Sequence, residues 1–595
     1  MKIACLIGVT AYAWVAASSA LLLLLLGHLE AFTFPYAQWF WLAPYYAELG
    51  HWGSAFVIGS GLAPAIVPII PLAGSANRQP KQRMLTNRWL QPTKRPQIER
   101  GVTDNHGHAA EMDDKEALQK FHSTPHPEYG GKVIGRLPSD GTTLYDWMDT
   151  GHTGMTLEFS GSGTGKTSAL ITQICRFEGP KVISDPSGEI ASMVWRRQVE
   201  YEGEENVHIV SPDPEPKDQY GHPEPWAHLV RRYNPISWID PSKRMATTAV
   251  RAIARSFFEE EAESSKGGDN EYFRKAARSL ITAILGDIIW NNDPNAPPKN
   301  LTEMRVILSL GPDALQDHLE RLRTSSPCHT TRLVIGPMLN SLRESGKTFS
   351  SVWDEANQAT MWLTDPDLAA MVSGSDFDAH AICEPTPKSI IFHLPLDLQQ
   401  SDPAVARVLF GSFVSAKIAS KTTNWALFLP DEPWAFGRAK WMETGIAAGR
   451  KHGVAMHFPW LDVGTLERIW GGSAARSFWF SSARAVIFSR VNDPKVAREI
   501  SDVCGTYGVL ARSEGTNKGV QGGTGFGRVS RGSNVSIHEI KRHVRMPHEL
   551  VQDPERDDQL AIGFGKPLPL KRAVWMGYPD LRREIEPSPY DRRVA

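Results

Sequence analysis

The apolar residues of this chain gather at its start and are elsewhere cut into short runs. From Ile3 to Leu26 no residue is charged, and a second uncharged stretch runs from Leu49 to Asn77. About 20 apolar residues in a helix cross a hydrocarbon core, so two spans are expected, over about 3–26 and 53–73. The first is longer than the roughly 7–15 apolar residues of a cleaved signal peptide. Pro64, Pro68 and Pro71 interrupt the second, which membrane helices tolerate. Trp39, Trp41, Tyr45, Tyr46 and Trp52 lie between the two, where interfacial aromatics belong. Arg78, Lys81, Arg83, Arg88, Lys94, Arg95 and Arg100 then follow with Glu99 as the one acid among them, which places that side in the cytoplasm.

Beyond this collar the pattern changes to buried strands and amphipathic helices. Lys181 to Asp185, Ser389 to Leu394, Trp425 to Leu429, Gly453 to Leu461 and Arg484 to Arg490 read as apolar runs of the kind that parallel strands show when covered on both faces. Between 238 and 378 the period is helical, as in Phe273, Ala276, Ala277, Leu280, Ile284 and Ile288 beside Arg274, Lys275 and Arg278. The fold class that follows is α/β. A nucleotide-binding domain at 131–237 and 379–595 is interrupted by an all-α domain at 238–378, and it follows a transmembrane anchor at 1–77 and a basic linker at 78–130. Gly505 to Val535 reads as a Gly-rich loop, either lining a channel or disordered.

Composition narrows the function. Lys plus Arg number 64 against 66 Asp plus Glu, so a globally basic nucleic-acid coat is excluded and any DNA contact must be local. The five cysteines are scattered with no CxxC pair, which argues against a zinc ribbon or a disulfide framework. His106, His108, His122 and His126 form a histidine cluster, but Pro125 opposes the helix that would align the last two, and the stretch reads as a mobile linker.

The candidate chemistry begins where the short β-prone run Gly154 to Phe159 ends in Ser160-Gly161-Ser162-Gly163-Thr164-Gly165-Lys166-Thr167, with a helix expected from Ser168. Strand, Gly-rich turn, Lys-Thr and helix is the context of a phosphate-binding loop. The glycines let successive N–H groups and the helix N-terminus face the phosphates of ATP. Lys166 then reaches the β/γ phosphates and the Thr167 hydroxyl holds Mg²⁺. The strict pattern has Gly where this chain has Ser160. A carboxylate partner is supplied by Asp431 and Glu432, which end the apolar run from Trp425, with Asp431 coordinating Mg²⁺ through water and Glu432 polarising the attacking water.

Several stretches resemble the type IV secretion coupling proteins of the TraG/TraD group. They are Asp185-Pro-Ser-Gly-Glu189, Arg232-Tyr-Asn-Pro-Ile-Ser-Trp238, Glu271 to Arg278, Asp431-Glu432 through Gly437-Arg438, Ala448-Gly-Arg450-Lys-His-Gly453, His538-Glu539-Ile540, Met546-Pro547 and Asp558 to Pro567. The resemblance implies a RecA-like, membrane-anchored ATPase of the bacterial inner membrane that acts as a homo-hexamer with the secretion complex. It also implies a substrate, relaxase-bound single-stranded DNA or a protein effector, and a role for Arg450 in a neighbour's site, stabilising charge on the transferred phosphoryl group. Two positions depart from the group. Ser187 stands where Lys is usual, and Met456-His-Phe-Pro-Trp460-Leu461 lacks the glutamine that senses the γ-phosphate, which would pass that step to His457 or Trp460. An effector-only secretion ATPase and a non-hydrolysing adaptor remain open as alternatives. A chromosome pump of the FtsK type is disfavoured by the helical insertion.

Overall fold

Seven strands buried along their whole length form the parallel centre of a sheet. The computed structural model describes residues 100–590 apart from 102, 149–153, 162, 219, 261–268, 521–528 and 552–556. The strands in chain order are β1 (Lys132–Arg136), β2 (Thr143–Asp146), β3 (Met155–Ser160), β4 (Lys181–Ser184), β5 (Val207–Val210), β6 (Ser389–Phe392), β7 (Ala426–Pro430), β8 (Val454–Trp460), β9 (Ala485–Ser489), β10 (Thr506–Val520), β11 (Val529–His543), β12 (Asp558–Ile562) and β13 (Leu568–Lys571). Eleven of them make one sheet in the order β2-β1-β13-β12-β9-β3-β8-β7-β4-β6-β5. From β9 to β5 the pairing is parallel, and β12, β13, β1 and β2 extend it antiparallel.

Helices on both faces explain why β4, β6 and β7 read as nearly continuous apolar runs. Ile183, Ile391, Leu427 and Leu429 point to one face, against Leu170, Ile171 and Ile174 of the helix Lys166–Arg176 and Ile190 and Val194 of the helix Glu189–Glu202. Their neighbours Val182, Ile390, Phe392 and Phe428 point to the other, against the helix Pro403–Ser420, whose Val405, Leu409, Phe410 and Phe413 are buried. Between β5 and β6 the described residues make seven α-helices, from Ala246–Ser256 to Pro366–Met371. Asp269–Trp290 is central to them, with Ala277, Leu280, Ile284 and Leu285 fully buried.

Two sequence expectations are corrected. Gly505 to Val535 is largely strand: β10 and β11 pair over their full length, from Thr506↔His543 to Val520↔Val529. The stretch 103–130 is built into the core. Its helix Asp114–Lys120 is capped by Asp113, Met112 N–H donates to the Pro567 carbonyl, and Phe121 is buried edge-on to Phe564 at 4.8 Å. His122 stacks on Trp147 and His126 on Tyr129, so their flat rings serve packing. Among the described residues no group of three or more His, Cys, Asp or Glu side chains is arranged to hold a metal ion. The expected spans 3–26 and 53–73 lie outside the described residues, among which no helix is long and apolar enough to cross a membrane.

Candidate functional site

The register of the parallel strands lines up their C-terminal ends. Phe159 pairs with Trp460, and Ser184 with both Pro430 and Phe392. That edge, where open α/β sheets hold their ligands, carries the loop after β3, Asp185 after β4, His393 after β6 and Asp431-Glu432 after β7. Gly163 and Gly165 have φ of 70° and 92°, and this left-handed curl turns the chain from β3 into its helix. The helix Lys166–Arg176 begins with no side-chain cap on its first N–H groups. Those groups are thereby left for an anion. Ser162 lies outside the described residues. Ser168 faces a cavity of about 640 Å³ bounded by Arg136, Asp557, Lys571 and Met576.

Lys166 is buried and its ammonium has no hydrogen-bond partner among the described residues; Glu432 lies 3.8 Å from it. A buried ammonium without hydrogen-bond acceptors costs free energy even beside a carboxylate, and phosphate oxygens supply the missing acceptors. The residues present therefore fit a nucleotide. Asp431 is buried, and burial followed by the charges of Glu432 and Asp185 pushes its pKa up to about 7, against the pull of Lys166. Asp185, also raised by burial, accepts from the Ala191 N–H at 2.7 Å and from Ser187 Oγ at 3.3 Å. Crowded, desolvated carboxylates of this kind are relieved by a cation, which fits Mg²⁺ beside Thr167 and Asp431. Glu432 takes a left-handed φ of 52° that a non-glycine residue adopts only under strain. Trp434 Nε1 donates to its Oε2 at 2.5 Å.

Ser160 is explained by its surroundings. Its hydroxyl lies 2.6 Å from Thr164 Oγ1 and accepts from Arg572 Nη2, also at 2.6 Å. The Arg572 guanidinium sits 3.3 Å from Glu158, whose other oxygen accepts from His457 Nε2 at 3.1 Å. His457 is thus committed beneath the loop. Trp460 is fully buried edge-on to Trp479, and Leu461 lines a cavity of about 390 Å³ with Asn492 and Ser489.

Arg450 is exposed, makes no ion pair among the described residues, and lies in the turn Gly449–His452 just before β8. It is therefore at the opposite end of the sheet from Lys166 of its own chain, by the length of β8. Four residues of this neighbourhood were missed as site residues in the sequence: Asp185, His393, Glu158 and Arg572. Asp185 had a readable signal, since it ends an apolar strand as Asp431 does. His393 Nδ1 donates to the Asp185 carbonyl at 3.2 Å.

A family model described as "Type IV secretory system Conjugative DNA transfer" matches residues 115–588. The chain belongs to that family. Among its relatives in this conjugative DNA transfer family, the type IV secretion system-coupling protein VirD4 of Bartonella quintana (strain Toulouse) is 29% identical over 434 residues, covering 72% of this chain and 63% of that protein. The conjugal transfer protein TraG of Agrobacterium fabrum (strain C58 / ATCC 33970) is 27% identical over 517 residues, 82% of this chain and 73% of the relative. The match thus spans less than two thirds of the length of VirD4. The fold is shared with the bacterial conjugative coupling protein TrwBdeltaN70, with a TM-score of 0.54 at 14% identity over 80% of this chain and 96% of that one. TrwB in complex with the non-hydrolysable ATP analogue ADPNP matches with a TM-score of 0.53 at 14% identity over 81% and 95% of the two chains.

Proposed function

We propose that this chain is the coupling ATPase of a type IV secretion system, anchored in the bacterial inner membrane by the segments 3–26 and 53–73. In this reading it uses ATP to pass relaxase-bound single-stranded DNA, protein substrates or both to the secretion complex. The observation that carries the reading is the buried Lys166 ammonium, without a hydrogen bond among the described residues, between a curled glycine loop and the carboxylates of Asp431 and Glu432. The family match and the nucleotide complexes of TrwB, one of them with ADP and Mg²⁺, support it.

The roles follow from position. The N–H groups of the loop and helix start, with Ser160, Gly161, Ser162, Gly163, Thr164, Gly165 and Ser168 shaping them, hold the phosphates. Lys166 neutralises the charge that builds on the phosphoryl group. Mg²⁺, when bound, withdraws charge from the phosphate oxygens, and Thr167 and Asp431 are the residues that would hold it. Glu432 orients a water and takes its proton as the water oxygen bonds to the terminal phosphorus and the bond to the bridging oxygen breaks. Arg450 faces away from its own loop, which suits service to a neighbouring subunit in a hexamer.

Nucleotide binding and turnover of the full-length chain test this. Lys166→Ala is expected to lose nucleotide binding, whereas Glu432→Gln binds and does not turn over. Single-stranded DNA raises turnover in a DNA-transferring protein, and its binding weakens steeply with salt. Full turnover in Glu432→Gln removes the catalytic assignment. Turnover with no salt-sensitive DNA binding favours a protein-only exporter, and binding without turnover favours an adaptor.

A further inference from the structure

We propose that Arg572 is a positioning residue that clamps the phosphate loop from beneath and so replaces the glycine usual at the first position of that loop. This rests on the nucleotide-binding reading of the loop. Arg572 follows β13, has no exposed side-chain surface, and reaches a loop 408 to 412 positions earlier in the chain. One arm of its guanidinium, Nη1, donates to the Thr164 carbonyl, and the other, Nη2, donates to Ser160 Oγ at 2.6 Å.

The hydroxyls continue the second arm in one direction. Thr164 Oγ1 donates to the Gly161 carbonyl at 2.7 Å, so the proton between Ser160 and Thr164, whose oxygens are 2.6 Å apart, comes from Ser160. The result is a relay from guanidinium to Ser160, to Thr164, to the Gly161 carbonyl. A glycine at 160 has no hydroxyl and would end this relay at its first step. Charge-assisted hydrogen bonds of this kind are about twice as strong as neutral ones, and a fork of donors fixes direction as well as distance.

The first arm acts on the backbone. A planar trans peptide points its C=O and the following N–H in opposite directions. Turning the Thr164 carbonyl toward Arg572 therefore turns the Gly165 N–H away from it, and Gly165 is the left-handed residue from which the helix of Lys166 starts. Glu158, 3.3 Å from the guanidinium, balances the buried charge, and His457 on β8 in turn donates to Glu158. The C-terminal strands, the loop strand β3 and the neighbouring strand β8 thus meet at one arginine.

The test compares full-length wild type, Arg572→Lys, Ser160→Ala and the double variant. Arg572→Lys keeps a cation beside Glu158, so the fold is spared an orphaned carboxylate, yet a single ammonium does not reproduce the two-armed grip. The dissociation constant of a fluorescent ATP analogue with Mg²⁺ is expected to rise about tenfold in each single variant, with kcat changed by less than about threefold. The double variant is expected to be no weaker than Arg572→Lys, because both changes cut one relay. Without nucleotide, amide exchange at Gly163 to Lys166 is expected to quicken in Arg572→Lys. Unchanged affinity and unchanged loop exchange, with only a lower melting temperature, would make Arg572 a fold-stabilising residue and overturn the clamp, as would fully additive losses. Lys166→Ala marks complete loss of binding. If wild type itself binds no nucleotide, the proposed function falls, and the exchange measurement alone decides the clamp.

Discussion

Asp431, on the nucleotide edge, has its carboxyl pushed up to about 7 from 3.8 by burial first and then by Glu432 and Asp185. A carboxyl raised on folding binds its proton more tightly in the native state, so native stability falls as pH rises from about 4 to about 7 and the loss is complete above that. Asp431→Asn removes the penalty. Its melting temperature without nucleotide should exceed that of wild type at pH 8 and match it near pH 4; a variant less stable than wild type at pH 8 would show that Asp431 is not under this strain. Nucleotide binding with Mg²⁺ should also release a proton near pH 6.5, seen as a binding heat that varies with the ionisation enthalpy of the buffer. At this scale the site was partly legible. Lys166 and the pair Asp431-Glu432 are each announced by a local pattern, a strand running into a glycine turn or into acids. Arg572 and Glu158 gave no such notice, because the clamp joins residues far apart in the chain and Glu158 alternates with Leu157 and Phe159 as a solvent-facing residue of an ordinary strand would.

The helices of the insertion are held by close approach. A Cβ on Gly286 would lie 2.6 Å from Thr331 Oγ1 and 3.1 Å from Cys328 Sγ, and Thr331 Oγ1 donates to the Ala283 carbonyl at 2.8 Å across the same contact. Gly286→Leu is expected to cost about 1–3 kcal/mol by overpacking, read as a lower denaturation midpoint; a midpoint equal to that of wild type would mean the helices have room to part. The central strands were legible because burial on two faces leaves continuous apolar runs, as in Ile390, Ile391 and Phe392. The ribbon β10–β11 was not. Ile537 and Ile540 are 61% and 49% exposed, so pairing there is made by backbone groups, and no buried face imposes an alternation on the sequence. Replacing 512–537 with a two-residue turn should leave the unfolding transition of the core cooperative and little shifted. A broadened or split transition would show that the ribbon supports the sheet.

For the whole molecule the question is how Arg450, in the role proposed for it, would meet a phosphate. It precedes β8 while the loop follows β3, and seven residues of parallel strand put about 20 Å between them. Head-to-tail packing of identical subunits brings the front of one to the back of the next. An arginine supplied in this way contributes about 10³ to 10⁵ in rate, so Arg450→Ala should bind nucleotide and lose turnover. Mixing Arg450→Ala with Lys166→Ala chains, each inactive alone, should restore about a quarter of wild-type turnover, the share of junctions that pair two intact halves at random. No recovery on mixing would place the arginine outside the neighbour's site.

The strand order has a further consequence, for the time at which the molecule becomes competent. β12 and β13, residues 558–571, stand between β9 and β1 in the sheet. A ribosome therefore releases the glycine loop, both acids of β7 and all seven parallel strands before the pieces that join them to β1 and β2. A chain still in synthesis carries every recognisable nucleotide motif while one flank of its sheet stays open. With the clamp proposed above, a chain cut short before β13 would hold a nucleotide more weakly than the finished one, so the last strands to be made would complete the grip of a loop made some 400 residues earlier.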